Sequence, residues 1–237
     1  MIFRKARATK PPLSELDGYD RRRRGRSPEE IEGEPPAGLP GEASPAPLRL
    51  PNRPGPYDLD EIEGDLSAGG WIDLGGLRVR PQPGVELRLQ VDEASRTVVA
   101  ALLVHNDSAL ELRAFAAPRS SGLWDEIRRE IAQETTRRGG VVTERTGPHG
   151  PEITVVVPSQ TPDGQAGTQA SRIVGIDGPR WFLRGTFIGR AALDPRSAGP
   201  LQAVLSDVVV VRGRGPMAPR DMIPLKLPES ARRVAAG

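Results

Sequence analysis

From Val85 to Gly189 the chain is cut into short strand-forming runs by Asn106-Asp107, Gly139-Gly140, Gly147-Pro148-His149-Gly150 and Asp177-Gly178. Turns at that spacing restrict the fold to a meandering antiparallel sheet with little inserted between its strands. Val85 to Val91 alternates apolar and polar residues with period two, the pattern of a strand with one wet face. Thr97 to Val104 is continuously apolar and β-branched, which predicts a mid-sheet strand covered on both faces. Asn106-Asp107 returns it into Ala109 to Ala116, completing a three-strand meander.

A second set of strands is predicted at Val141 to Thr146, Glu152 to Pro158, Ser171 to Ile176 and Arg180 to Gly189. Asp177-Gly178 supplies the clearest hairpin turn, because both residues tolerate positive φ. Two stretches change period. Leu123, Trp124, Ile127 and Ile131 fall on one helical stripe, with Ser120-Ser121 as N-cap, Asp125 and Glu126 in the first turn and Gly139-Gly140 as the stop. Leu201, Val204, Leu205 and Val208 form a second stripe after Asp194-Pro195. The expected fold is therefore α+β: one antiparallel sheet of about seven strands with two helices. Several strands followed by a helix, twice over, raise the question of a duplication.

The first part of the chain differs in kind. Residues 1–28 carry nine basic and three acidic side chains, and residues 29–66 carry two basic and ten acidic. A basic block followed by an acidic one, with prolines at 35, 36, 45, 47, 51, 54 and 56, lacks the apolar periodicity of a core and predicts an open tail over 1–66. The domain is expected over 67–228, with 229–237 a flexible C-terminus. Tyr57 to Leu66 is acidic enough to dock onto the domain.

The chain has no cysteine, so thiolate chemistry and disulfides are excluded and no oxidising compartment is required. Met1 to Arg7 has no apolar stretch behind it, and Val98 to Val104 is far shorter than the roughly 20 residues of a membrane helix. A cytoplasmic protein without a transmembrane segment is the expectation.

The segments Trp71-Ile72-Asp73-Leu74-Gly75, Ala114-Phe115-Ala116-Ala117-Pro118-Arg119, Gly122-Leu123-Trp124-Asp125-Glu126-Ile127, Gly175 to Gly185 (Gly-Ile-Asp-Gly-Pro-Arg-Trp-Phe-Leu-Arg-Gly) and Pro219-Arg220-Asp221 occur in one order. Together they resemble the actinobacterial domain of unknown function 3710 family over roughly residues 57–228. The resemblance implies bacterial origin and one domain, and brings no activity with it. The long antiparallel sheet with a Trp-Phe-Leu-Arg-Gly strand before a closing helix is also similar to PsbP-like folds, an analogy of fold alone.

Residues that could carry chemistry are few. His105 and His149 lack a partner at metal-ligand spacing, and both read as surface turn residues. There is no G-x-S-x-G elbow and no phosphate-binding glycine motif. No catalytic residue, metal or cofactor is assigned on this basis. An enzyme built from carboxylates and arginines would need a pocket converging on Asp177 with Arg180 or Arg184.

Two arginine groups remain. Alternation places Arg180, Phe182 and Arg184 on one side of their strand and Trp181 and Leu183 on the other. Such a face receives a phosphate, a base or an acidic peptide, unless its arginines pair with neighbouring carboxylates. Arg21, Arg22, Arg23, Arg24 and Arg26 form a block suited to phosphates or an anionic surface, partly neutralised by the acidic segment beyond it. The sequence thus favours a non-catalytic protein-interaction or regulatory module acting on a protein partner. The alternative is nucleic-acid or nucleotide association through the basic tail and the Arg180/Arg184 face; homo-oligomerisation stays open.

Overall fold

The computed structural model describes residues 47–92, 94, 96–120, 122–160 and 165–228. Ahead of the predicted meander the chain forms three very short strands, β1 (Tyr57–Asp58), β2 (Ile72–Asp73) and β3 (Leu77–Val79). The meander follows as β4 (Glu86–Val91), β5 (Val98–His105) and β6 (Ser108–Ala116), with Asn106 at φ 52° reversing the chain between the last two. Helix α1 (Trp124–Arg137) leads to β7 (Val141–Gly147), β8 (Gly150–Gln160), β9 (Ala166–Gly178) and β10 (Trp181–Gly189). A single turn α2 (Arg190–Leu193), helix α3 (Gly199–Asp207) and β11 (Val209–Val210) close the chain's regular structure.

The large sheet has the order β4-β5-β6-β10-β9-β8-β7 and is antiparallel throughout. The two meanders thus meet at β6 and β10, with Leu112 opposite Gly185 and Ala114 opposite Leu183. The α+β class with a seven-strand antiparallel sheet is the architecture observed. A smaller sheet, β1-β11-β3-β2, pairs the parallel strands β1 and β11.

Strand alternation distributes two cores. Leu103, Leu110, Leu112, Leu183 and Phe187 point to one face, where Leu201, Val204 and Leu205 of α3 and the small sheet bury them completely. On the other face α1 lies principally over β7, β8 and β9, packing Leu123, Trp124, Ile127 and Ile131 on Ile153, Val155, Ile173 and Phe182. The two helices therefore occupy opposite faces. A duplicated strand–helix unit, related by the two-fold between antiparallel β6 and β10, would place both on the same face.

Three expectations differ from the structure. Residues 47–66 belong to the fold rather than to an open tail: Tyr57 and Leu66 are buried, Leu48 and Leu50 pack beside them, and Trp181 donates from Nε1 to Asp58 at 2.6 Å. The acidic charge of this stretch sits on its outer side while its apolar residues turn inward. The tail residues 1–46 and the end 229–237 lie outside the described residues.

The second difference concerns β5, whose α1 side is covered at Ala100 but not beyond it. Ala101 and Leu103 are fully buried, whereas Leu102 and Val104 on the α1 side are half-exposed because α1 is centred at the far end of the sheet. The third concerns the start of α1. The β9–β10 reversal falls at Pro179-Arg180, so Asp177 remains in β9 and its carboxylate accepts from the amides of Leu123 (2.7 Å) and Trp124 (3.2 Å). Ser121 lies outside the described residues. A carboxylate from another strand thus satisfies amides that a local cap ordinarily serves.

Asp177→Ala is expected to lower folding stability by about 1 kcal/mol, read as the urea midpoint at unchanged slope, with Asp177→Asn costing less. An unchanged midpoint would show that the helix start does not depend on this carboxylate.

Candidate functional site

The half of the sheet that α1 leaves uncovered is built by residues of one phase on four strands. Glu86, Arg88 and Gln90 come from β4, Leu102 and Val104 from β5, Glu111, Arg113 and Phe115 from β6, and Arg184, Thr186 and Ile188 from β10. Arg184 stands directly opposite Arg113 in the register, an arrangement in which like charges repel. One carboxylate serves both. Arg113 donates to Glu111 at 2.8 and 3.1 Å, and Arg184 approaches the same carboxylate only to 3.9 Å.

Arg184 lies at the border of the helix-covered region. Its guanidinium sits 5.7 Å from the Phe115 ring, beside Phe182, which contacts Phe115 and Trp124 at centroid distances of 6.0 and 6.1 Å. Its Nε is buried without a hydrogen-bond partner among the described residues. Burial, followed by the charge of Arg113, lowers its proton affinity below the ordinary guanidinium range. The side chain nonetheless keeps 29% of its surface exposed, so an arriving anion can reach it.

The predicted trio is divided by the fold. Phe182 shares the face of Arg184 but is wholly buried under Trp124, so Phe115 is the aromatic that remains half-exposed there. Arg180 sits in the β9–β10 turn with φ 65°, at the end of the sheet and away from that face. Arg21, Arg22, Arg23, Arg24 and Arg26 lie outside the described residues. A pocket of about 310 Å³ is lined by Leu59, Ile62, Leu66, Trp71, Asp73 and Arg78, among others, and Asp177, Arg180 and Arg184 do not line it.

Sequence reasoning missed a buried ionic network on the opposite face. Glu152 and Arg172 are each 1% exposed and are joined at 3.2 Å; Arg145 reaches Glu152 at 2.5 Å, and the Arg172 guanidinium stacks 3.7 Å from the Phe187 ring centroid. Glu152 and Arg172 have inward phase in their strands, but the pair becomes visible only once the β8–β9 register is known. The pair holds β8 and β9 under α2, where Arg172 Nε donates to the Ala191 carbonyl at 3.2 Å.

His149, read from the sequence as a surface turn residue, is pinned against α3. The Gln202 amide nitrogen donates to its Nε2 at 3.0 Å, and Ser206 Oγ lies at 3.4 Å. Accepting that bond requires a free lone pair, hence the neutral ring. Burial first, opposed by Glu152 and aided by Arg172, pushes its proton affinity below the ordinary imidazole range. The unfolded chain therefore binds the proton more readily than the folded one. The stabilisation from neutral His149 is complete above the unfolded pKa and is lost as pH falls below that ordinary imidazole value of about 6.5. His149→Gln is expected to flatten this part of the stability profile, measured by urea unfolding at several pH values; an equal slope in both proteins would contradict the assignment.

Among the described residues no helix is long and apolar enough to cross a membrane. The family model described as "Protein of unknown function (DUF3710)" matches residues 55–234. Comparison with curated proteins finds no match.

Proposed function

The chain belongs to the DUF3710 family of proteins of unknown function, and we propose that its domain is a non-catalytic binding module of the cytoplasm. Its recognition surface is the uncovered half-face of the large sheet. The partner is a protein that presents a carboxylate beside an apolar side chain.

The observation that carries this reading is Arg184. A guanidinium that is mostly desolvated, set against Arg113 and sharing one carboxylate with it, gains more from an incoming carboxylate than a solvated surface arginine does. Leu102, Val104 and Ile188 on the same face are half-exposed, and they supply apolar area of the kind that fills the centre of an interface. Arginine at one border, an apolar middle and a charged rim from Glu86 and Arg88 at the other make up the recognition patch. Arg21 to Arg24 and Arg26 would add long-range attraction for the same acidic partner, in a salt-dependent manner.

The test is capture under gentle crosslinking with the tagged full chain, compared with Arg184→Glu and Leu102→Asp variants whose melting temperatures match the parent. Reproducible partners that bind about tenfold more weakly to either variant would support the module. A parent protein that stays strictly alone, or partners retained equally by both variants, would overturn it.

A further inference from the structure

Three chain reversals meet at one end of the large sheet. β6 leaves into Pro118-Arg119, the β9–β10 hairpin turns at Pro179-Arg180, and the chain after β11 returns past the end of β6 at Arg220 to Ile223. Backbone bonds fix these loops together: the Ala117 amide donates to the Arg180 carbonyl at 2.9 Å and the Arg220 amide to the Ala116 carbonyl at 2.8 Å. The Arg212 guanidinium is held by the carbonyls of Gly213 (3.1 Å) and Gly215 (2.5 Å).

Most arginines of the domain are neutralised. Arg220, hydrogen-bonded to this same corner, is paired with Glu126 at 2.9 Å and Glu130 at 2.8 Å. Arg119, Arg180 and Arg212 have no carboxylate partner among the described residues, and the charges of Arg180 and Arg119 bear on Arg212. Gathering three cations without a counter-charge works against folding unless an anion joins them.

The turn itself points the same way. Gly178 pairs with Trp181, so the hairpin loop is the two residues Pro179-Arg180. Proline cannot take positive φ, which leaves Arg180 as the left-handed residue, at φ 65°. Glycine or asparagine would cost less there. A positively charged residue thus holds a strained loop position, and its carbonyl is bonded to the loop that carries Arg119.

We propose that Arg119, Arg180 and Arg212 form a binding site for the diphosphate group of a small ligand. Guanidinium forks match phosphate oxygens in pairs, and three of them balance more negative charge than a single carboxylate supplies. The corner does not suit single-stranded nucleic acid, because the neighbouring aromatics Trp181 and Phe182 are 2% and 0% exposed and give bases nothing to stack on. The site is separate from the Arg184 half-face, so either can fail alone.

Calorimetric titration decides, using the full chain and a second full-length protein with Arg21 to Arg24 and Arg26 replaced by serine, at about 50 mM salt. The probes are inorganic pyrophosphate, ADP and a short single-stranded oligonucleotide. Pyrophosphate is expected to bind both proteins, to weaken with added salt, and to lose about tenfold or more in affinity in Arg180→Ala and in Arg119→Ala. Arg184→Ala should bind as the parent does. ADP binding like pyrophosphate identifies the phosphates alone as the ligand, and tighter ADP binding identifies a nucleotide; both support the site. Absence of pyrophosphate binding, equal binding by an Arg119→Ala/Arg180→Ala double variant of unchanged melting temperature, or binding of the oligonucleotide alone would overturn it.

Discussion

β6 and β10 run antiparallel along their whole lengths, and the cores on both faces of the large sheet are arranged around that pairing. It joins two meanders that the chain makes separately, one before α1 and one after. It also supplies both cores. Leu110, Leu112, Ala114, Leu183 and Phe187 face α3, and Phe182 with Phe115 faces α1. At Gly185 a Cβ would meet Leu110 and Leu205 at 3.4 Å, an ordinary van der Waals distance, so the layer between the sheet and α3 is filled at that point by the two leucines. A strand pair at the centre of a sheet cannot slip by one residue without exchanging its two faces. Here that exchange would bury Arg113 and Arg184 under α3 and expose Leu112 and Leu183, which fixes the register firmly.

Arginine is handled in three ways by one scaffold. Arg172 is buried to 1% and tolerated because Glu152, the Ala191 carbonyl and the Phe187 ring surround it. Arg220, on the surface, and Arg128, mostly buried but paired, tie other elements to α1: Arg220 through Glu126 and Glu130, and Arg128 of α1 through Glu144 of β7, with Asp125 beside it. Arg184 belongs to neither group. It is desolvated like the first and under-paired unlike either, which is why the proposed recognition surface includes it. Only Lys226 among the described cations is a lysine, and the planar guanidinium suits stacked, bidentate roles better than an ammonium does.

Features that depend on local periodicity were legible in the sequence. The alternation of Val85 to Val91, the stripe from Leu123 to Ile131 and the stripe from Leu201 to Val208 all became the expected elements, because each pattern is written within one segment. Features that depend on partners distant in the chain were not. The small sheet rests on strands of two or three residues, too short for any period to register, and β1 finds its parallel partner at β11. Asp177 looked like a turn residue because Asp-Gly usually is one; Pro179 moved the turn two residues on and freed its carboxylate for α1. The apolar run of β5 promised cover on both faces. Only the placement of α1 reveals that Leu102 and Val104 lack it.

The small sheet has a further consequence, for the order in which the chain folds. Hairpins such as β5–β6 and β9–β10 close over a few residues, so their loop entropy is small. By contrast the Trp71 indole donates to the Asp207 carbonyl across 136 positions, and the Trp181 indole to Asp58 across 123. Contacts of that separation form only after the intervening chain has been ordered. The small sheet is thus the clasp that fastens last, over a large sheet already assembled. It is also where transient opening would begin, and such opening would uncover the α3 side of the core while the half-face around Arg113 and Arg184 on the opposite side stayed intact.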